Sequence, residues 1–455
     1  MASSGSVADK LFSADMAPAQ TGGYAWFVAG MLSIAYLLSI LDRYLLSVLM
    51  EDVKRGLMLS DTQLGMLQGP AFVMMFLIAS VPFGRLADIA NRKLTVTGGL
   101  VCWSLATIGC GLSRSFAELM AARLMVGLGE AALIPCAMSM ITACFSRDRL
   151  SRGVSIFSMG GSFGRAVAFG GGGMLLAWFV ANGGLRVAGV RTLDPWNSVF
   201  MTAGLAGLGF SLLFLLLVRE PPRMAPTGPR AGIASGFVHV WRHRWAYAAL
   251  FIPFGMTTGM TAAIAAWSVS FYVRDHGLDV TAASGLVGLT GLLAGPVGHL
   301  FGGWLNDDLG RRHIAGAQPL ILAGVMLAAV LFASLFALAP SLVVAAVAYG
   351  LAYFSLCAAG PTAFGGVQLP TPADRRGVVS AIFLITYNAL GFGLGPLIVG
   401  LIGDRIVKDP NQLGLSITLT LLMLIAIGLP FALLGRHAFA RAVAEQEAMV
   451  SQMPR

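Results

Sequence analysis

Five ionisable residues lie inside stretches that are otherwise apolar: Asp42, Arg43, Arg123, Glu130 and Arg165. An ionisable side chain deep in hydrocarbon costs about 2.5–3.5 kcal/mol or more, so each one calls for a partner or a task. Two carboxyls among guanidiniums can carry protons. Burial disfavours a carboxylate's charge and a neighbouring guanidinium favours it, so a small rearrangement moves a proton on or off. The expected arrangement is a two-carboxylate switch: Asp42 and Glu130 couple protons, with Asp42 paired to Arg123 when ionised and Glu130 paired to Arg43 in at least one state. The plainer alternative is that these charges pair only to lock helices together. Arg165 stands apart. Its permanently charged, planar fork suits a phosphate or carboxylate headgroup, or else a lock onto a neighbouring helix's carbonyls.

The elements that hold these residues are membrane spans. Of the 455 residues, 57% are hydrophobic and only 11% are charged, against about 25% charged in soluble domains. That excludes a water-soluble enzyme and a disordered regulator. Twelve apolar stretches reach the roughly 20 residues that cross a bilayer. They run over 24–50, 64–86, 94–112, 116–145, 152–179 and 197–218, then 246–272, 282–304, 314–338, 341–368, 377–402 and 414–434. The expected fold class is therefore an all-α integral membrane protein with twelve transmembrane helices in two six-helix bundles, 24–218 and 246–434. A 1–23 tail, a proline-bearing linker at 219–245 and a 435–455 tail complete the chain. Residues 1–23 lack the apolar core of a signal peptide, so the N-terminus is expected to stay uncleaved.

Orientation follows from the basic residues. With both termini inside, the inner segments hold 19 of the 30 lysines and arginines and the outer loops 8. Such an excess marks the cytoplasmic face, so a cell-membrane location with both termini cytoplasmic is expected. The net charge of +9 belongs to this topology and forms no stripe for nucleic acid. The five cysteines lie inside apolar stretches without a CxxC pair, so neither zinc nor a disulfide framework is indicated.

Helical rise sets the depths. Glu130 lies roughly 21 Å along the fourth span from its outer end, near mid-bilayer, and Arg123 lies roughly 10 Å nearer the outside on the same face. Asp42 sits at a depth comparable to Arg123. Asp42 and Arg43 point about 100° apart, so one partner cannot easily serve both. Arg165 lies roughly 20 Å from the inner surface. The spans of the second half contain no charged side chain, only His299. They offer Thr257 with Thr261, and Tyr349 with Tyr353, each pair one above the other on a helix face. The tyrosines could equally be ordinary packing or interface residues. As a cavity wall, they would oppose the charged half with an apolar, aromatic surface.

The halves repeat. Gly84-Arg85-Leu86-Ala87-Asp88 with Arg92-Lys93 after the second span matches Gly303-Trp304-Leu305-Asn306-Asp307 with Arg311-Arg312 after the eighth. Arg152-Gly153-Val154 is echoed by Arg376-Gly377-Val378. Six plus six helices in a parallel repeat is a transporter architecture, with substrate expected between the halves.

Gly84 through Lys93 resembles the signature between helices 2 and 3 of the major facilitator superfamily. Within it, Asp42-Arg43, Asn91-Arg92-Lys93 and Arg123 followed by Gly127-Leu128-Gly129-Glu130-Ala131 resemble the spinster-type lipid transporters. The Asp-Arg and Arg-x6-Glu arrangement is similar to the organic anion:cation symporters as well. Gly160-x3-Gly164 is followed by Arg165, where antiporter relatives often have Gly-Pro, so antiport gains no support from this motif. The resemblance implies a cytoplasmic gate built on Gly84, Asp88, Arg92, Lys93, Asp307 and Arg311. It also implies helices 7 and 10 flanking the cavity, so that Arg165, Thr257, Thr261, Tyr349 and Tyr353 would contact substrate.

Other signals are weaker. Gly160-Gly161-Ser162-Phe163-Gly164 fits a nucleophile-elbow pattern without its strand–turn–helix context, and no histidine is placed to activate Ser162. His239 and His243 beside Trp241 and Trp245 read as an interfacial amphipathic helix rather than a metal site. Residues 436–450 read as a second such helix. The resulting expectation is a proton-coupled secondary transporter, not an enzyme, moving an anionic or zwitterionic amphiphile such as a lysophospholipid or sphingoid phosphate. The alternative is a proton-coupled symporter of small organic anions such as sugar acids. No cofactor beyond the coupling proton is expected; the partners are substrate and membrane lipids, and the assembly is a monomer.

Overall fold

The computed structural model describes residues 22–146, 149–186, 192–222, 233–312 and 314–451. Outside the described residues lie the N-terminal tail through 21, residues 147–148 and 187–191, linker residues 223–232, residue 313 and the last four residues of the C-terminal tail. Among the described residues, twelve helices are long and apolar enough to cross a membrane: α1 (Gly23–Leu57), α2 (Asp61–Ile89), α3 (Arg92–Leu112), α4 (Phe116–Cys144), α5 (Arg152–Asn182), α6 (Pro195–Leu217), α7 (Arg244–Arg274), α8 (Val280–Arg311), α9 (Ala317–Leu338), α10 (Leu342–Gly366), α11 (Arg376–Val407) and α12 (Leu413–Met449). A short linker helix, Ile233–Arg242, precedes α7.

Local chemistry fixes the ends. The side chains of Asn91, Ser115 and Asp279 accept from the backbone amides of Leu94, Glu118 and Ala282, capping α3, α4 and α8. Such caps satisfy amides that have no partner within the helix. Ser60 and Gln63 form a reciprocal capping box at the start of α2.

Several helices are longer than hydropathy suggests, because charged residues at their ends continue the hydrogen-bonded ladder beyond the apolar stretch. α12 is one continuous helix through Ser451. Residues 436–450 therefore extend α12 rather than forming a separate helix. At 1.5 Å per residue its 39 residues span about 58 Å, well beyond a hydrocarbon core of about 30 Å. α11 likewise extends to Val407 and carries Asp404 and Arg405, and Arg274 ends α7. The second half thus has charged groups at one end of its helices, where the sequence pattern placed loops.

Interruptions of the ladder fall near the charged residues. α4 breaks just after Glu130 and resumes at Leu133. α5 passes through a π-helical turn at Val167–Gly171, immediately after Arg165. α11 has another π turn at Asn388–Phe392. π turns inside α-helices are frequent at functional sites. α1 and α5 pack closely where a Cβ on Gly160 or Gly164 would strike the carbonyl of Ser33 or Leu37. That accounts for the glycine run that mimics a nucleophile elbow.

The two bundles meet toward the face opposite the termini. There Arg274 at the end of α7 donates to Glu51 of α1 (2.9 Å) and forms a fork with Asp61 of α2 (2.8 and 3.0 Å). Lys54 adds a 2.6 Å bond to the same carboxylate. Asp404 of α11 accepts from the backbone amides of Asp61 and Thr62, at 3.2 and 2.7 Å. A carboxylate at a helix N-terminus is favoured by exposed amides and the helix dipole.

Candidate functional site

The site is built around α1. Ser39 and Arg43, one turn apart, both reach Glu130 on α4, while Asp42 projects to Thr107 on α3. Glu130, held on α4 at the break in its ladder, is 1% exposed. One of its oxygens accepts from Ser39 Oγ at 2.7 Å and from Arg43 Nη2 at 2.9 Å. Its other oxygen, Oε1, has no protein partner. The Arg43 guanidinium lies over the Phe72 ring, 4.3 Å from the centroid, with Phe76 and Phe392 farther out. An aromatic face compensates a desolvated cation.

Asp42 behaves differently from its expected pairing. Its carboxylate accepts from Thr107 Oγ1 at 3.1 Å and makes no ion pair with Arg123. Arg123 instead donates Nη1 to the backbone carbonyl of Asp42 at 3.3 Å and Nε to that of Leu67 at 3.4 Å, while Nη2 is unpartnered. The reason is directional: the Asp42 side chain turns toward α3, and only its backbone faces Arg123. The structure therefore makes the Glu130–Arg43 pair and does not make the Asp42–Arg123 pair.

Arg165 reaches from the first bundle to the second. Its Nη1 donates to the hydroxyl of Tyr353 on α10, and its guanidinium lies 4.1 Å from that ring's centroid and 5.0 Å from that of Tyr44. Nε and Nη2 are enclosed and have no protein acceptor. Tyr349 stacks parallel to Tyr353 with centroids 6.3 Å apart. Thr257 and Thr261 do not join this group through their hydroxyls, which donate to the carbonyls of Pro253 and Thr257 within α7. Pro253 sits inside that helix, and the threonine hydroxyls satisfy its backbone rather than facing a ligand as donors.

The repeated motif lies at helix ends. Gly84 faces open space, and Asp88 is exposed near the end of α2. Arg92 is 3% exposed and donates to Glu220 Oε1 (2.7 Å), the Pro221 carbonyl (2.6 Å) and both oxygens of Ser139 (3.1 Å). The backbone amide of Lys93 donates to the other Glu220 oxygen at 2.8 Å. Arg92 thus staples α3, α4 and the segment after α6 within one bundle. In the second copy Arg311 and Arg312 pair with Asp308, at 3.7 and 2.8 Å, rather than with Asp307.

Sequence reasoning missed Ser39, Thr107 and Phe72, which carry no charge to mark them. It also missed Glu51, Asp61, Arg274, Asp404 and Glu220. Their charges flank the spans, where the orientation count uses Arg274 only as a basic residue and the acids not at all.

Two helical bundles joined by a linker, with buried charges on one side of their junction, define a membrane transporter. The chain belongs to the Major Facilitator Superfamily, whose family model matches residues 32–396. It is 27% identical to protein spinster homolog 1 of Homo sapiens, over 85% of this chain and 74% of that protein. It is 25% identical to the probable L-galactonate transporter of Escherichia coli K12, over 82% of each. Its fold matches the crystal structure of a bacterial homolog of the human lysosomal transporter Spinster, in an inward-facing and unoccupied conformation. There the TM-score is 0.82 at 23% identity, covering 93% of this chain and 99% of that one. The protein is a multi-pass membrane transporter and not an enzyme.

Proposed function

We propose that this transporter works by alternating access, is driven by protons and moves an anionic or zwitterionic amphiphile of the lysophospholipid or sphingoid phosphate kind. The observation that carries the reading is the contrast between two buried carboxyls. Glu130 is ion-paired to Arg43, whereas the Asp42 carboxylate has one neutral donor, Thr107, and Arg123 reaches only its backbone carbonyl. A rotation of α1 against α4 would exchange the partners of Asp42 and Glu130 among Arg43 and Arg123. Each exchange changes which carboxyl is better stabilised as an anion, and proton uptake or release follows.

Arg165 supplies the headgroup contact. Its two unpartnered nitrogens sit beside Tyr353 and Tyr44, an environment of fixed positive charge within aromatic surface. The Thr257 and Thr261 hydroxyls of α7 donate to their own backbone, which favours an amphiphile over a polyhydroxylated substrate. The second reading, a symporter of small organic anions, draws on the same free donors of Arg165 and on the similarity to the probable L-galactonate transporter. The motif carrying Gly84, Asp88, Arg92 and Lys93 with its repeat at Asp307 and Arg311 serves as the gate at the face bearing the termini. The excess of basic residues makes that face cytoplasmic.

The test is transport by purified protein in liposomes under an imposed pH gradient, with single-chain anionic lipids compared against sugar acids. Gradient-driven flux of the lipid, lost in Asp42→Asn while thermal stabilisation by lipid persists, is expected. Flux of sugar acids alone would replace the amphiphile by the second reading. Wild-type accumulation by both Asp42→Asn and Glu130→Gln would overturn proton coupling through these residues.

A further inference from the structure

The linker helix Ile233–Arg242 has two unlike faces. Gly236 and His239 face the protein. A Cβ on Gly236 would meet the Val378 side chain at the start of α11, and His239 Nε2 lies 3.1 Å from the Pro370 carbonyl. Beside it the Tyr247 hydroxyl is 2.8 Å from Thr371 Oγ1. This underside clasps the connection between α10 and α11. The opposite face presents Phe237, Val238 and Trp241, which are 57%, 59% and 74% exposed, and Trp245, 61% exposed, continues it into the first turn of α7.

Three large apolar side chains on one face of a ten-residue helix form a surface that water does not favour. Its position says what covers it. Only His243 separates the helix from α7, so it is held within a turn of the point where a membrane span begins. Arg242 and Arg244 are exposed beside the aromatic face, and the Arg244 guanidinium lies 5.9 Å from the Trp241 ring. Tryptophans concentrate at the headgroup level of a bilayer, and arginines reach from there to lipid phosphates.

We infer that the linker helix is a lipid-docking surface. It inserts Phe237, Val238, Trp241 and Trp245 at the bilayer boundary and binds the headgroups of anionic phospholipids through Arg242 and Arg244. An amphipathic helix of this composition lies in the plane of the interface, and its binding combines apolar burial with attraction to anionic lipid. Because its other face clasps the α10–α11 connection, docking ties the start of α11 to the headgroup layer. This surface is separate from the Arg165 site, and its test does not depend on the transported substrate.

A nitroxide attached at Val238→Cys in the full-length protein, reconstituted in vesicles, measures the docking. In vesicles with about a third anionic phospholipid, collisions with oxygen should exceed those with a water-soluble nickel complex. Arg242→Gln with Arg244→Gln, or purely zwitterionic lipid, should raise accessibility to the nickel complex at least threefold. Trp241→Ala with Trp245→Ala should do the same in anionic vesicles. A label equally open to water in all vesicles would overturn the docking. Insertion that is identical in anionic and zwitterionic vesicles would overturn the role of the arginines. Dipolar broadening between labels, which vanishes on dilution with unlabelled protein, would assign the face to a second copy of the chain and overturn lipid docking as well.

Discussion

At the scale of single residues, the site turns on which cation faces which carboxyl. The charge identities and depths of Asp42, Arg43, Arg123 and Glu130 were legible in the sequence, because a charge in an apolar stretch is conspicuous and helical rise gives its depth. The pairing was only half legible. Spacing gives the angle between Asp42 and Arg43 but not the rotation of α1 against α3 and α4, and that rotation sends the Asp42 carboxylate to Thr107 and its carbonyl to Arg123. Uncharged Ser39 and Phe72 leave no mark in a hydropathy pattern, yet they complete the surroundings of Glu130 and Arg43. A prediction follows from the buried pair. Arg43→Met leaves the Glu130 carboxylate without its cation, and removing one partner of such a pair costs about 3–5 kcal/mol. Melting temperature should fall clearly in Arg43→Met, and adding Glu130→Gln should recover much of the loss. If the double variant melts no higher than the single one, Glu130 is not the charge left uncompensated.

At the scale of elements, the twelve spans were legible to within a few residues at most ends, since apolar length is what a bilayer selects. The break in α4 after Glu130 had a mark that was missed: Pro135 has no N–H to donate to the Ala131 carbonyl four residues back, and its ring crowds that turn. The π turn after Arg165 was hidden, because it lies in a run that reads as ordinary glycine-rich packing. The junction of α7 and α12 was equally hidden. Asp275 follows α7, and its Oδ2 accepts from the backbone amide of Gly414 at 3.0 Å, while Oδ1 has no protein partner. Burial pushes its pKa up from 3.8 to about 6, against the pull of the amides of Gly414 and Leu413. A carboxyl that holds its proton more tightly when folded adds stability below about pH 4, and this is lost as pH rises through about 6. Comparing melting temperatures at steps across that window, wild type should lose ground relative to Asp275→Asn as pH rises. Parallel curves would show that the Asp275 proton is not linked to folding.

At the scale of the whole molecule, the sequence repeat announced two bundles but could not say which ends of them touch. Contact between bundles depends on charges at helix ends, and the same residues also serve topology, so their count hides their partners. The structure joins Glu51, Asp61, Arg274 and Asp404 on the face opposite the termini. Arg274 is the centre of that lock, since its guanidinium alone spans α1, α2 and α7. The Arg274 and Asp61 side chains are 6% and 7% exposed, so their attraction is less screened than that of a surface pair. An alternating-access cycle must break these bonds each time that face opens, and the lock should therefore hold the population on the side seen here. Arg274→Ala removes three hydrogen bonds from one carboxylate pair and leaves Lys54 on Asp61. Spin labels at Met58→Cys and Asn411→Cys, both exposed on that face, should report a single short distance in wild type. In Arg274→Ala a second, longer distance should appear, with the ratio of the two populations changed about tenfold or more, as loss of about 1.4 kcal/mol from one state requires. Asp404→Asn should act in the same direction but less, because the amides of Asp61 and Thr62 keep a neutral acceptor. A distance distribution unchanged by Arg274→Ala would mean that apolar packing between α2 and α11, rather than the ion lock, keeps the face shut.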